Sequence, residues 1–216
     1  MASTKALFTK DLKFAHDEHL SWQFEDIELD QGDHLLVLGG SGSGKTTLLH
    51  LLSGLLKPQA GEIVLDGVNI GAMKKKDVDE VRGLKIGMVF QRPHFIKSLN
   101  VRENIALAAQ LPHKIVSKNN IEQTMQQLNI FHLSDKQINT LSEGEKQRAS
   151  IARALANDPI LILADEPTSA LDDENCSAVI KLLIDVSKKS NCALIVVTHD
   201  ARIKSHFPNQ IHISSK

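Results

Sequence analysis

The sequence predicts a three-layer α/β domain with an antiparallel N-terminal β portion and an inserted helical lobe. Three observations carry this. Apolar runs of strand length at 35–38, 86–90, 160–164 and 193–197 alternate with helical stretches, as parallel strands joined by right-handed crossovers do. Ahead of them, 5–14 and 20–29 alternate roughly between apolar and polar residues, the pattern of half-buried antiparallel strands. From about 97 to 140 the chain turns helical and polar. With 216 residues, one domain is expected over 1–216, the helical lobe occupying approximately 97–156 within it.

Each element has a local reason. Trp22, Phe24, Ile27 and Leu29 supply the apolar positions of the second N-terminal strand, and Asp30-Gln31-Gly32-Asp33 is a turn. Residues 35–38 form a buried strand that runs into a glycine-rich loop. A helix is expected over 48–56, ended by Lys57-Pro58-Gln59-Ala60-Gly61. Ile63-Val64-Leu65 and Val68-Asn69-Ile70 flank Asp66-Gly67, a hairpin signature. Lys74-Lys75-Lys76 reads as a solvated turn or helix face, and the strand at 86–90 ends at Gln91. Ile121, Met125 and Leu128 share one helical face, with Ser117 as N-cap. Further helices are expected from Ser142 onward and over about 172–189.

Composition excludes several classes. With 25 basic against 26 acidic residues, charge gives no support for nucleic-acid binding. No apolar run approaches the roughly 20 residues needed to cross a bilayer, and none follows Met1-Ala2-Ser3-Thr4-Lys5 as a secretory signal requires. Cys176 and Cys192 form neither a metal-ligand spacing nor a disulfide framework. These features point to a cytosolic chain, free to dock on a membrane protein.

Gly39-Gly40-Ser41-Gly42-Ser43-Gly44-Lys45-Thr46, followed by Thr47, satisfies G-x-x-x-x-G-K-[ST] between a strand and a helix. Glycines let backbone N–H groups turn inward on phosphate, and the helix start adds partial positive charge. Lys45 is expected to reach the β- and γ-phosphates and the Thr46 hydroxyl to ligand Mg²⁺. Downstream, the apolar run at 160–164 leads into Asp165-Glu166-Pro167. In an open parallel sheet ligands bind at strand carboxyl ends, so both carboxylates fall beside the phosphate loop. Asp165 suits the Mg²⁺ shell, and Glu166 suits a base that orients and deprotonates water.

Leu141-Ser142-Glu143-Gly144-Glu145 precedes another helix with capping-box spacing from Ser142 to Glu145. It is a second helix start suited to an anion. Taken in order, the motifs resemble those of ABC-type ATPases, a family of phosphate-loop NTPases. Residues Gly39 to Thr46 resemble its Walker A motif, Gln91 the Q-loop glutamine, and Leu141 to Glu145 the LSGGQ signature. Ile160 to Glu166 resemble Walker B, Ser169-Ala170-Leu171-Asp172 the D-loop, and His199, in Thr198-His199-Asp200, the switch histidine.

The resemblance implies a head-to-tail homodimer with two ATP molecules sandwiched between the subunits. Ser142 and Gly144 of one subunit then contact the γ-phosphate held by the other's Lys45. Gln91 senses Mg²⁺ and γ-phosphate, His199 contacts the γ-phosphate, and Asp172 works across the interface. Glu143 and Glu145 replace the commoner Gly and Gln of the signature, which brings two carboxylates near the incoming phosphate, with Lys146 and Arg148 to compensate. The chain has no tyrosine, and the aromatic that stacks on adenine in the family aligns near His16, with Phe14 or Trp22 as ordinary core.

Val101-Arg102-Glu103-Asn104-Ile105 and the short length are similar to the small ATPases of the lipoprotein-release, macrolide-export and cell-division group. That implies an ATP-hydrolysing subunit that drives a separate transmembrane permease, for transport or mechanotransmission, from the inner face of the membrane. Phe95 and Leu99 either line the groove that receives the permease or pack the lobe. Two other functions compete: a soluble ABC-type ATPase of DNA repair or translation, and an ATP-binding regulator that scarcely hydrolyses, against which Glu166 argues.

Overall fold

The computed structural model describes residues 5–16, 21–110, 118–169 and 171–214. Two five-stranded sheets organise it. The antiparallel sheet runs β2(Ser21–Gln23), β1(Leu7–Ala15), β5(Ala60–Leu65), β6(Val68–Asn69), with β3(Glu28–Leu29) also on β1. The parallel sheet has the order β10(Asn209–His212), β4(His34–Leu38), β9(Ala193–Thr198), β8(Leu161–Asp165), β7(Ile86–Val89).

Strand alternation splits the core in two. Leu36, Leu38, Ile162, Ala164, Leu194 and Val196 point to one face of the parallel sheet. There they meet α3(Val101–Gln110), α4(Lys118–Gln127), α5(Glu143–Leu155) and α6(Asp173–Lys189). The intervening positions, Leu35, Val37, Leu161, Leu163, Ile195 and Val197, face α1(Lys45–Leu52) and the antiparallel sheet. Burial on both faces is why these strands read as continuous apolar runs. Ile121, Met125 and Leu128 bury one face of this part of the lobe as expected; Ser117 lies outside the described residues.

Several boundaries differ from expectation. The expected strand over 20–29 is two short pieces, and Ile27 between them bonds Thr9 through backbone and side chain just before β1 bulges between Lys10 and Lys13. At that bulge Asp11 has φ 50 and Gly61 has φ 91; a Cβ on Gly61 would meet the Lys10 and Asp11 carbonyl oxygens at 2.5 Å. The first helix starts at Lys45 rather than 48 and ends at Leu52, because Gly44 at φ 101 turns the loop directly into it and Gly54 at φ 67 ends it. The lysine run at 74–76 opens the helix α2(Lys75–Lys85), whose full length leaves little periodicity in the sequence because Val78 is its only buried residue. The edge strand β10 escaped for a similar reason, being mostly exposed and polar.

Candidate functional site

Four neighbouring strands, β4, β9, β8 and β7, end on one side of the parallel sheet, and every expected site residue of the core follows one of these ends. The loop after β4 is tight. A Cβ on Gly39 would come within 2.4 Å of Ser43 Oγ and 2.5 Å of the Ile213 carbonyl. A Cβ on Gly44 would meet Trp22 Nε1 at 2.4 Å, so Trp22, which packs on the core as expected, also lies against the phosphate loop. Its ring stacks on Phe14 at 6.4 Å, and His16 stands exposed two residues beyond.

Lys45 folds back over this loop. Its Nζ donates to the Gly39 and Gly40 carbonyls at 2.9 Å each and lies 3.8 Å from Glu166 Oε1. The ammonium is largely buried, with 8% of its side chain exposed, and an anion entering the loop would meet a cation already in place. Ser43 Oγ is buried without a hydrogen-bond partner among the described residues, as befits a loop built around a ligand.

Thr46 Oγ1 donates to Asp165 Oδ2 at 3.3 Å, so the two expected metal ligands share one spot. Burial pushes the Asp165 carboxyl above its ordinary range, the neighbouring Glu166 charge adds to the rise, and the Thr46 hydrogen bond offsets it in part. Asp165 Oδ1 is buried without a protein partner among the described residues. A desolvated carboxylate beside a hydroxyl is a donor set that suits a hard divalent cation.

Glu166 adopts φ 45 and is gripped from β9's end. Thr198 Oγ1 donates to Oε2 at 2.7 Å, and the His199 amide donates to Oε1 at 3.1 Å. His199 Nδ1 lies 2.8 Å from the same Oε1. That contact assigns the Nδ1 proton to the carboxylate bond and turns Nε2 outward on a ring that is 62% exposed. The Glu166 side chain is only 12% exposed.

The other expected residues stand apart. Gln91 Nε2 donates to Ser169 Oγ at 3.2 Å rather than to the Thr46–Asp165 pair. Ser142 caps α5 in a full capping box: its amide and hydroxyl both donate to Glu145 Oε2 at 2.8 Å, and the Glu145 amide donates back at 3.3 Å. Those bonds hold the Glu145 carboxyl below its ordinary range. Lys146 pairs with Glu143 at 2.7 Å, so one expected charge compensation is present. Arg148 instead donates to the Leu128 carbonyl at 3.4 Å. Among the described residues no hydrogen bond or ion pair joins the exposed Ser142 to the phosphate loop. Asp172 caps α6 through Asn175, which lowers its carboxyl below the usual range; Ala170 lies outside the described residues.

The sequence reading missed Ser169 and Thr198 as partners of Gln91 and Glu166, and it missed Arg202 altogether. A hydroxyl at a strand end was the only signal available for Thr198. Phe95 packs the lobe under the Arg153 guanidinium, 4.8 Å from its ring centroid, and the Leu99 carbonyl accepts from Asn104 Nδ2 at 3.1 Å. The nearby groove, about 370 Å³, is lined instead by Phe90, His94, Ile96, Leu107 and Arg153.

A phosphate-binding loop, a buried carboxylate for a cation and a gripped second carboxylate together make a site for nucleoside triphosphate hydrolysis. The comparisons with known proteins make the class specific. The chain belongs to the ABC transporter family, whose pattern matches residues 25–169. It is 40% identical over 186 residues to the lipoprotein-releasing system ATP-binding protein LolD of Buchnera aphidicola, covering 84% of this chain and 80% of that protein. It is 36% identical to the bacitracin export ATP-binding protein BceA of Halalkalibacterium halodurans, covering 87% and 75%. The methionine import ATP-binding protein MetN of Helicobacter acinonychis is 39% identical, and the match spans 58% of its length. Among solved structures, the dimeric bacterial ABC transporter cassette MJ0796 superposes with TM-score 0.82 at 27% identity, covering 97% of this chain and 94% of that one. A dimeric post-hydrolysis state of the same cassette, bound to ADP and Pi, gives 0.81 at 28% identity. The chain is an ABC-type ATPase with the phosphate-loop NTPase fold.

Proposed function

We propose that two copies of this chain close head to tail around two ATP molecules and that the cycle drives a separate transmembrane permease. One observation carries the reading. Lys45, Thr46, Asp165, Glu166 and His199 converge at neighbouring strand ends, while Ser142, capping a helix start of the kind that binds anions, is left outside that cluster. A second copy supplies the missing half. The dimeric solved relatives and the transport systems named for LolD, MetN and BceA support the same assembly.

Within it, Lys45 exchanges the Gly39 and Gly40 carbonyls for the β- and γ-phosphates, and the amides of 39–47 close around them. Mg²⁺ fits Thr46 and Asp165 because Asp165 Oδ1 lacks a protein partner, and when bound it neutralises charge on the phosphate oxygens. Gln91 is the third residue we assign to this shell. Glu166, held by Thr198 and His199, orients the attacking water and takes its proton, and His199 presents Nε2 to the γ-phosphate. The partner subunit's Ser142 and Gly144 approach the same phosphate once the Ser142 hydroxyl leaves Glu145. Hydrolysis then waits on closure, since charge stabilisation is incomplete in one subunit alone. Asp172 acts across the interface, and His16 is assigned to adenine.

We read 1–216 as a single ATP-binding cassette. No helix among the described residues is long and apolar enough to cross a membrane. The relatives' part in membrane transport systems is the reason we place the chain on the inner face of the membrane through its permease. Purification of the tagged chain from detergent-solubilised membranes tests this. Co-purification of a multi-span chain, at one permease assembly per two ATPase subunits, supports the reading. Recovery without any membrane chain favours the soluble alternative.

A further inference from the structure

Arg202 is a residue that no motif singles out, yet it touches three parts of the site at once. It lies three residues after His199, in the short 3-10 helix Ala201–His206. Its Nε and Nη2 donate to the Asp200 carboxylate at 2.9 and 2.7 Å. Its Nη2 and Nη1 reach the Leu171 carbonyl at 3.4 and 3.5 Å, and Nη1 also pairs with Asp173. These contacts bracket Asp172, the residue between Leu171 and Asp173.

The other end of the link is equally defined. Asp200 accepts from Thr168 Oγ1 at 3.1 Å, and its amide donates to Thr198 Oγ1 at 3.0 Å. Thr198 Oγ1 in turn donates to Glu166 Oε2 at 2.7 Å. An unbroken chain of bonds therefore runs from the segment around Asp172 through Arg202, Asp200 and Thr198 to the carboxylate of Glu166. Only a planar guanidinium can do this, because its fork grips a carboxylate and a carbonyl in fixed directions, whereas an ammonium is a single flexible point. The Asp200 carboxyl is held well below the usual range, chiefly by Arg202, so the pair stays charged at any pH at which the protein works.

We infer that Arg202 is a positioning residue for hydrolysis, tying the seat of Asp172 at the dimer interface to the seat of Glu166 and His199. Movement of Asp172 when the partner closes is then delivered to the base, and hydrolysis at one site becomes sensitive to the other. The inference rests on the head-to-tail dimer proposed above.

The test compares Arg202→Ala and Arg202→Lys with the unchanged protein by steady-state phosphate release against ATP concentration, ATP binding and thermal melting. Because the Asp200 side chain is only 9% exposed, losing its partner costs stability, and Arg202→Ala is expected to stay folded but melt about 3–10 °C below the unchanged protein. Binding of ATP stays the same, kcat falls about tenfold through lost positioning, and the Hill coefficient drops to about 1. Arg202→Lys keeps the charge without the fork and is expected to recover melting but neither kcat nor the Hill coefficient. Unchanged kcat and Hill coefficient in a folded Arg202→Ala, or full rescue of both by lysine, overturns the inference. The dimer reading is checked separately by the ATP-induced association of Glu166→Gln: its absence sinks that reading, while its presence with a normal Arg202→Ala sinks only the role of Arg202.

Discussion

Replacement of Glu166 by Gln separates holding the nucleotide from hydrolysing it. The carboxylate accepts from Thr198 at 2.7 Å and from the amide and imidazole of His199 at 3.1 and 2.8 Å. An amide keeps the shape but offers one acceptor and one donor. At the Oε1 position its NH₂ would face two N–H groups, so the NH₂ takes the Oε2 position. There it meets the Thr198 oxygen, which already accepts from Asp200 N at 3.0 Å. One charge-assisted hydrogen bond is thereby weakened, a cost of about 1.5 kcal/mol, or roughly 3–6 °C in melting temperature for a chain of this size. The chemical effect is larger. A positioned base contributes about 10²–10⁴ to the rate, some 3–5 kcal/mol of barrier, and the neutral amide cannot take the proton. ATP affinity is expected to hold or rise, because Lys45 loses its carboxylate neighbour at 3.8 Å. Phosphate release under saturating ATP, set beside binding of a fluorescent ATP analogue, reads both quantities. Turnover within threefold of the unchanged enzyme would remove Glu166 as the base.

Lys45→Ala is expected to abolish ATP binding in titration calorimetry, since it removes the cation folded over the phosphate loop; normal affinity contradicts the loop's role. Asp165→Asn is expected to raise the melting temperature without Mg²⁺ at pH 7 while losing Mg²⁺-dependent activity. Burial lifts the Asp165 pKa in the fold, so the stability the acid form gives is full below its unfolded value and is lost as pH rises through the raised folded value, and the amide avoids that loss. A lower melting temperature for the variant would refute this. His34 is the pH-sensitive group of the core: Ser187 Oγ donates to the Ile184 carbonyl at 2.9 Å and so accepts from His34 Nε2 at 2.8 Å. Burial, then Lys188, lowers its pKa, so its contribution is present above 6.5 and lost as pH falls below it. Melting between pH 7 and 5 is expected to fall less in His34→Gln than in the unchanged protein, and an identical slope contradicts the assignment.

What the sequence revealed and what it hid follow from the same physics. Strands buried on both faces carry apolar runs, such as 35–38 and 193–197, and so were visible, and the residues at their ends and in the loops leaving them had to carry the polar chemistry. Gly44 and Lys45 were legible because phosphate loops leave few choices of residue. The helix Lys75–Lys85 was not, because a helix with one buried side chain leaves no periodic trace. Partners brought together by folding were equally hidden. Ser169 meets Gln91 across 78 positions, and Arg202 reaches Asp173 across 29. No local spacing encodes either contact. Trp22 sits 22 residues from Gly44, and only the glycine's lack of a side chain shows why the indole fits against the loop.

In the proposed dimer, Ser142 of one copy completes the site built on Lys45 of another. Size exclusion with mass detection on Glu166→Gln, with and without ATP and Mg²⁺, tests it most directly. With nucleotide, the account predicts a species of twice the 23.8 kDa chain mass, and adding Ser142→Arg returns it to the monomer with ATP still bound. A protein that stays monomeric in ATP, or a dimer indifferent to Ser142→Arg, contradicts the account.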